Sequence, residues 1–321
     1  MRRIVWVAAV ALLALACDET PVEEELSGWV YAGDVGYNAE SGKWYSMGVP
    51  FGIAVAPKTG WVFLASWFEP FRGAMYASIT RFDEDGTGAG YIAKSYETMY
   101  MDVAFSHPRS WVYVTETWQD RIRYYTWDGE LVGEWGSEGA GPGEFQGPYR
   151  LAVSRPDGNV YVADAGNSRI QYFTATGSYL GVWGSPGTGN GEFDGPYGLA
   201  VAPDTGYVYV ADAFNDRIQY FTATGSFLGK WGATGSGDGE FLRPAGVAVS
   251  PFDGNVYVAD KENHRVQYFT PDGSFVGKFG SEGYGDGLFS YTWALCFNGT
   301  GTRLYVSDIP ACRVQYFDYY E

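Results

Sequence analysis

The sequence predicts an all-β fold: a six-bladed β-propeller of four-stranded antiparallel blades, the last blade closed by the N-terminal strand. Three observations carry this. The segment Val160 to Asp164 (VYVAD), followed by Arg169 to Phe173 (RIQYF), returns at 208–221 and 256–269, and more loosely at 304–317. From Asp164 to Asp212 to Asp260 to Asp308 the step is 48 residues each time. Val112 to Glu116 with Arg121 to Tyr125 keeps this period, and Val62 to Ser66 is a weaker copy, which makes six units. Each unit divides into four short strand-like runs. The chain also ends one strand short, and a matching strand stands at its front.

Taken in order, the chain opens with Arg2-Arg3 and an apolar run, Ile4 to Ala16, before Cys17. A basic start, about a dozen apolar residues and small residues before the break describe an export signal over residues 1–16. The run is too short to span a bilayer as a mature helix. Ala14-Leu15-Ala16 suits ordinary signal peptidase and would give a secreted protein. Leu13 to Cys17 (LALAC) resembles a bacterial lipoprotein box, although Ala14 stands where that family usually has Leu. The resemblance implies lipidation of Cys17 and an acidic tether over 17–26. It implies a membrane-anchored lipoprotein facing the periplasm or cell surface, attached to the membrane through its N-terminal lipid only.

The propeller is expected over 27–321. Its unit is clearest at 196–241. Gly198 to Ala202 is a short strand of small residues, suited to a crowded axis. Tyr207 to Ala211 alternates and is rich in Val and Tyr, and Arg217 to Thr222 and Phe227 to Gly232 follow across turns. The aromatic residues of the outer strands suit the wider gaps between blades. The glycine-rich stretch Gly235 to Glu240 reads as a linker to the next unit. The last unit stops at Tyr320-Glu321, just after its third strand. Ser27 to Tyr31 (SGWVY) reads like Gly177 to Gly181 (GSYLG) and would complete the sixth blade, pairing edges otherwise left open.

Two cysteines remain. With a hairpin turn near Thr300, Cys296 faces about Leu304, and Cys312 faces about Asp308. Four residues of strand are roughly 13 Å, beyond the roughly 7 Å a disulfide tolerates. Two free thiols are expected.

The pattern in Pro156 to Phe173, with VYVAD, then Asn167 and RIQYF, resembles the NHL repeat, specifically in the last four units and weakly in the first two. NHL proteins form six-bladed propellers, which agrees with the count. Their functions range over RNA binding, ubiquitin-ligase scaffolding, an amidating lyase and bacterial sensor domains, so the fold does not fix the function. The net charge of −17 opposes nucleic-acid binding. No cysteine-rich module is present. The histidine-dependent lyases among related propellers need more than His107 and His264, the two histidines of this chain. No nucleophilic triad stands out and no cofactor is expected. Asp164, Asp212, Asp260 and Asp308 are read as acceptors of backbone N–H groups in the turns that follow them. Asn167 and Arg169 and their equivalents are read as local partners. Asp83 to Thr87 is read as a turn.

What remains is the part that does not repeat. Aligning the first strands on Ala54, Ala104, Ala152, Ala200, Ala248 and Cys296 places Asp102 and Arg150, opposite charges on neighbouring blades, near one end of the channel. One position earlier stand Phe51, Met101, Tyr149, Tyr197, Ala245 and Trp293. The turns on this face add Trp67, Phe68, Phe71, Trp118 and Phe214. An aromatic face with one charge pair suits a monomeric binding or scaffold module whose partner is a protein segment or a glycan. The second reading is a metal-dependent lyase or hydrolase with its site at the axis.

Overall fold

The computed structural model describes residues 29–35, 37–38, 43–44, 48–68, 76–83, 90–106 and 109–319. Cys17, the export signal, the tether, Phe71 and His107 lie outside them. Blade 1 is built from Val49–Val55, Val62–Phe68, Tyr76–Phe82 and Gly90–Ser95. Blade 2 follows with Tyr100–Ser106, Trp111–Glu116, Arg121–Thr126 and Leu131–Trp135. Blade 3 comprises Pro148–Val153, Val160–Asp164, Arg169–Phe173 and Tyr179–Trp183. Blade 4 comprises Pro196–Val201, Val208–Asp212, Arg217–Phe221 and Phe227–Trp231. Blade 5 comprises Pro244–Val249, Val256–Asp260, Arg265–Phe269 and Phe275–Phe279. Blade 6 joins Thr292–Phe297, Arg303–Asp308 and Arg313–Tyr319 to Trp29–Asp34 from the front of the chain. The first strands of consecutive blades touch in a ring that closes between blades 6 and 1. The predicted count, strand order and closure are all present.

The repeated residues explain why the blades form and lock. The second strands are buried along their whole length in blades 3, 4 and 5. Tyr113, Tyr161 and Tyr209 reach one blade onward and donate to the carbonyls of Ala175, Ala223 and Pro271 at 2.8, 3.0 and 3.0 Å. A buried phenol needs such a partner, and here the partner ties neighbouring blades together.

Asp308 accepts the backbone N–H of Ala311 in the turn that follows it, as expected, but Asp164, Asp212 and Asp260 work differently. Asp164 is fully buried. Its Oδ1 accepts the backbone N–H of Gln146, which lies in the connection entering the blade rather than in the turn leaving it. Its Oδ2 accepts from Asn167 at 2.9 Å and Arg169 at 2.7 Å. Arg169 in turn donates to the carbonyls of Ala140, Gly141 and Glu144. Asp212 and Asp260 repeat the arrangement with Arg217 and Arg265. The glycine-rich connections are therefore clamped structure, not loose linkers, and each clamp is one shared carboxylate. Gly139 shows why glycine is needed there: at φ 155° a Cβ would stand 2.1 Å from the Glu144 carboxylate.

Both described cysteines are free thiols. Cys296 stands opposite Tyr305, one residue from the expected partner, and Cys312 occupies a turn at φ 52°. Among the described residues no helix is long and apolar enough to cross a membrane.

Candidate functional site

Every first strand changes register near the same end of the axis. The pairing with the second strand slips between Pro50 and Gly52, Tyr100 and Val103, Pro148 and Leu151, Pro196 and Gly198, Pro244 and Val247, and Thr292 and Leu295. A bulge inserts an unpaired residue and re-aims the side chains beside it. Six bulges at one level gather Phe51, Met101, Tyr149, Tyr197, Ala245 and Trp293 there.

These residues form a lid. Tyr149 stacks on Tyr197 with centroids 4.4 Å apart and planes at 13°. Trp293 lies 6.2 Å from Tyr149, 6.4 Å from Tyr197 and 6.3 Å from Phe51. Phe51, Met101 and Trp293 are buried, whereas Tyr149 and Tyr197 remain partly exposed. Burial pushes the phenols of Tyr149 and Tyr197 above their ordinary range, so both stay neutral.

Directly beneath, Arg150 Nη1 meets Asp102 Oδ1 at 2.9 Å, joining the two charges the sequence placed on neighbouring blades. Asp102 Oδ2 also accepts the N–H of Leu151 at 3.0 Å, and Arg150 Nη2 donates to the Trp293 carbonyl at 3.1 Å. Both side chains are about 7% exposed. Burial pushes the Asp102 carboxyl upward while Arg150 pulls it down. Gly52 stands beside this pair because a Cβ there would lie 2.6 Å from Asp102 Cα and from Oδ1. The pair therefore bridges the axis and is committed to the fold.

Below the pair, a cavity of about 180 Å³ runs between the first strands toward Pro57, Ser154 and Arg155. Its walls are mixed: Ile53, Val103 and Leu199 line it together with Asp102, Arg150, Ser154, Arg155 and Cys296. The cavity is smaller than the roughly 300–1,000 Å³ of pockets that hold drug-sized ligands. Among the described residues no three His, Cys, Asp or Glu side chains converge as metal ligands.

The rim of the lid is where rings meet solvent. Trp118 and Phe214 are each 44% exposed, and Phe214 packs edge-on against Tyr197 at 5.4 Å. Trp67, expected on this rim, is 5% exposed and belongs to the core cluster that also holds Phe51, Met101 and Trp293. It supports the lid from behind. The strand runs on to Phe68, so Trp67 pairs with Ala77 instead of turning outward. Nothing is described of the Phe68 side chain.

The rim also holds residues that the alignment of first strands does not single out. Lys261 Nζ sits 5.1 Å from the Trp293 ring and 5.3 Å from the Tyr291 ring. Arg243 lies 5.4 Å over Phe214 and pairs with Glu262 at 3.3 Å. His264 stacks on Tyr291 at 5.6 Å, and its Nδ1 donates to the Ser290 carbonyl. A signal for them exists in the repeat. Lys261 fills the slot of Ala165, Ala213 and Ile309, and Arg243 that of Gly147 and Gly195. Arg243 even keeps the left-handed backbone of those glycines, at φ 51°.

The NHL repeat model matches residues 145–173 and 241–269, which fall in blades 3 and 5. The chain is an NHL-repeat propeller. No curated protein matches this sequence. Among solved structures, the propeller resembles a gluconolactonase from Xanthomonas campestris at TM-score 0.63 and 16% identity, covering 96% of this chain and 99% of that one. It resembles a catalytically inactive virginiamycin B lyase from Staphylococcus aureus, solved with quinupristin, at TM-score 0.57 and 14% identity over 86% and 96% of the two chains. A chain of a nidogen/laminin complex aligns at TM-score 0.57 and 15% identity, over 77% of the NHL-repeat propeller and 91% of that chain. These likenesses concern the fold. The same frame serves an enzyme and a protein–protein complex.

Proposed function

We propose that this NHL-repeat propeller is a recognition module outside the cytoplasm, tethered through Cys17, that holds a protein segment or a glycan against the aromatic rim. One observation carries the reading: the six bulges close this end of the axis with rings over a satisfied ion pair. At this end of the axis a ligand therefore meets the outside of the lid. Exposed Trp118 on blade 2, and exposed Phe214 beside partly exposed Tyr197 on blade 4, give the flat apolar contacts that such recognition uses. The acidic chain disfavours nucleic acid as the partner. Catalysis with a metal at the axis, as a hydrolase or lyase, needs carboxylates free to converge there, and Asp102 is already bonded to Arg150 and Leu151.

Elemental analysis of the purified mature chain, with thermal melts in calcium, in zinc and in chelator, tests this reading. The expected result is no stoichiometric metal and the same melting temperature in all three. Binding at a hundred times Kd stabilises by about 2.7 kcal/mol. A bound ion with a melt that rises to match would point to the hydrolase or lyase instead.

A further inference from the structure

Charge on this chain is overwhelmingly negative, yet one place on the lid rim is built the other way. At the junction of blades 5 and 6, Lys261, Arg243 and His264 surround Trp293, Tyr291 and Phe214. Arg243 already has a counter-charge in Glu262. Lys261 does not. Among the described residues it has no ion-pair partner, and its principal acidic neighbour is that same, already paired Glu262. Its stem fills a slot where blades 3, 4 and 6 carry Ala165, Ala213 and Ile309 and blade 2 carries Thr117, and its ammonium rests over two rings. Burial pushes the ammonium downward from its ordinary value. Ring faces compensate part of that desolvation, but a half-buried charge is usually paired. The Trp293 indole Nε1–H is a second unfilled group: Trp293 is 3% exposed, and this nitrogen has no hydrogen-bond partner.

We propose that Lys261 anchors a subsite for a carboxylate-bearing sugar, the uronic acid unit of an acidic glycan. The inference rests on the reading of this rim as a recognition face and names the class of ligand it takes. The carboxylate supplies the missing counter-charge of Lys261, whose half-buried ammonium pairs more strongly than it would in open water. The C–H faces of a pyranose ring are apolar, and the exposed ring of Tyr291, 5.3 Å from the ammonium, offers them a flat surface, with exposed Phe214 further along the same rim beneath Arg243. An acidic peptide offers the same carboxylate without a flat apolar body between its charges. The protein's own charge repels any polyanion at long range, so binding here is governed by contact at Lys261 rather than by steering.

The test is calorimetric titration of the mature chain with oligogalacturonate, its methyl-esterified neutral counterpart, and hexaglutamate. Three chains are compared: the natural one, Lys261→Met and Lys261→Arg. Lys261→Met keeps the stem over Trp293 and removes the charge, so its melting temperature should stay close to that of the natural chain. The expected result is saturable binding of oligogalacturonate, weaker by at least about tenfold for the neutral oligomer and for Lys261→Met, and retained within about threefold in Lys261→Arg. Binding should also weaken as ionic strength rises. Equal binding of the neutral and acidic oligomers, or unchanged oligogalacturonate binding in Lys261→Met, overturns the subsite while leaving the face as a recognition surface. Equal binding of hexaglutamate overturns the sugar and leaves only a carboxylate site. No binding of any probe overturns the subsite for acidic sugars; the wider reading then stands or falls on whether other glycans or peptides bind the rim.

Discussion

Trp29→Ala is expected to cost about 3–5 kcal/mol, because Trp29 is the bolt of the ring rather than a terminal residue. It is 1% exposed. Its ring lies 5.3 Å from Tyr319, 5.9 Å from Tyr257, 5.9 Å from Phe297 and 6.4 Å from Phe279. Two of these belong to blade 6 and two to blade 5, so one side chain joins the last blade to its neighbour. The indole Nε1 also donates to the Tyr257 hydroxyl at 3.3 Å. Losing a buried Trp removes its transfer free energy and leaves a cavity. In a domain of this size each kcal/mol moves the melt by about 2–4 °C, so the variant should melt roughly 10 °C lower. Deleting the strand through Asn38 removes Trp29–Asp34 and the Val35 N–H to Val314 O bond of 2.9 Å as well. It bares the edge Arg313–Tyr319 and should abolish the cooperative melt. An unchanged melt in either chain would mean that the ring does not depend on this strand.

The same strand sets the second expectation, a dependence on pH. Asp34 pairs across from Gln315 on that edge, and its Oδ1 is buried without a hydrogen-bond partner. The charged and titratable groups around it are Tyr31, Asp286, Asp308 and Arg313. Burial raises its carboxyl from 3.8 to about 6, with Asp286 and Asp308 adding to the rise and Arg313 opposing it. A carboxyl whose pKa is higher in the folded state takes up a proton on folding. Its cost is therefore small below the unfolded value of 3.8, grows as pH rises toward about 6, and is complete above that. Two units correspond to about 3 kcal/mol, and the partial exposure of Asp34 brings this nearer 2 kcal/mol. Asp34→Asn should accordingly raise the melting temperature by several degrees at neutral pH, and the two chains should converge as pH falls toward 4. A stabilisation that does not change with pH would place the cause elsewhere.

Most of the fold was legible because one residue pattern is copied at constant spacing. Asp164, Asp212, Asp260 and Asp308 mark the same corner of successive blades, and any one of them predicts the others. The site was legible where it follows that register. Asp102 and Arg150 were placed on adjacent blades by counting alone and prove to be paired, and Tyr149, Tyr197 and Trp293 meet as a lid for the same reason. Counting could not show the six bulges, which are properties of the main chain and leave no mark in side-chain spacing. Nor could it separate Trp67 from Trp118. Both follow a second strand, but in blade 1 the strand extends to Phe68 and buries the ring. Lys261 and Arg243 were visible as departures from the repeat, yet a departure gains meaning only when its neighbours are known. Tyr291 and Trp293 come from the next blade. The surroundings of Asp34 were hidden because the closing strand has only a loose counterpart in the repeat.

Recognition at the lid rim is tested most directly by binding of the mature chain and of a Trp118→Ala, Phe214→Ala double variant to immobilised glycan and peptide arrays. Both rings are 44% exposed, so their removal should change stability by no more than about 0.5 kcal/mol each. A ligand held by the rim should lose about 2 kcal/mol, a factor of about 30 in affinity. Ligand binding lost with the melt intact is the predicted result. A ligand bound equally well by both chains would contradict the account and place recognition on another surface of the propeller.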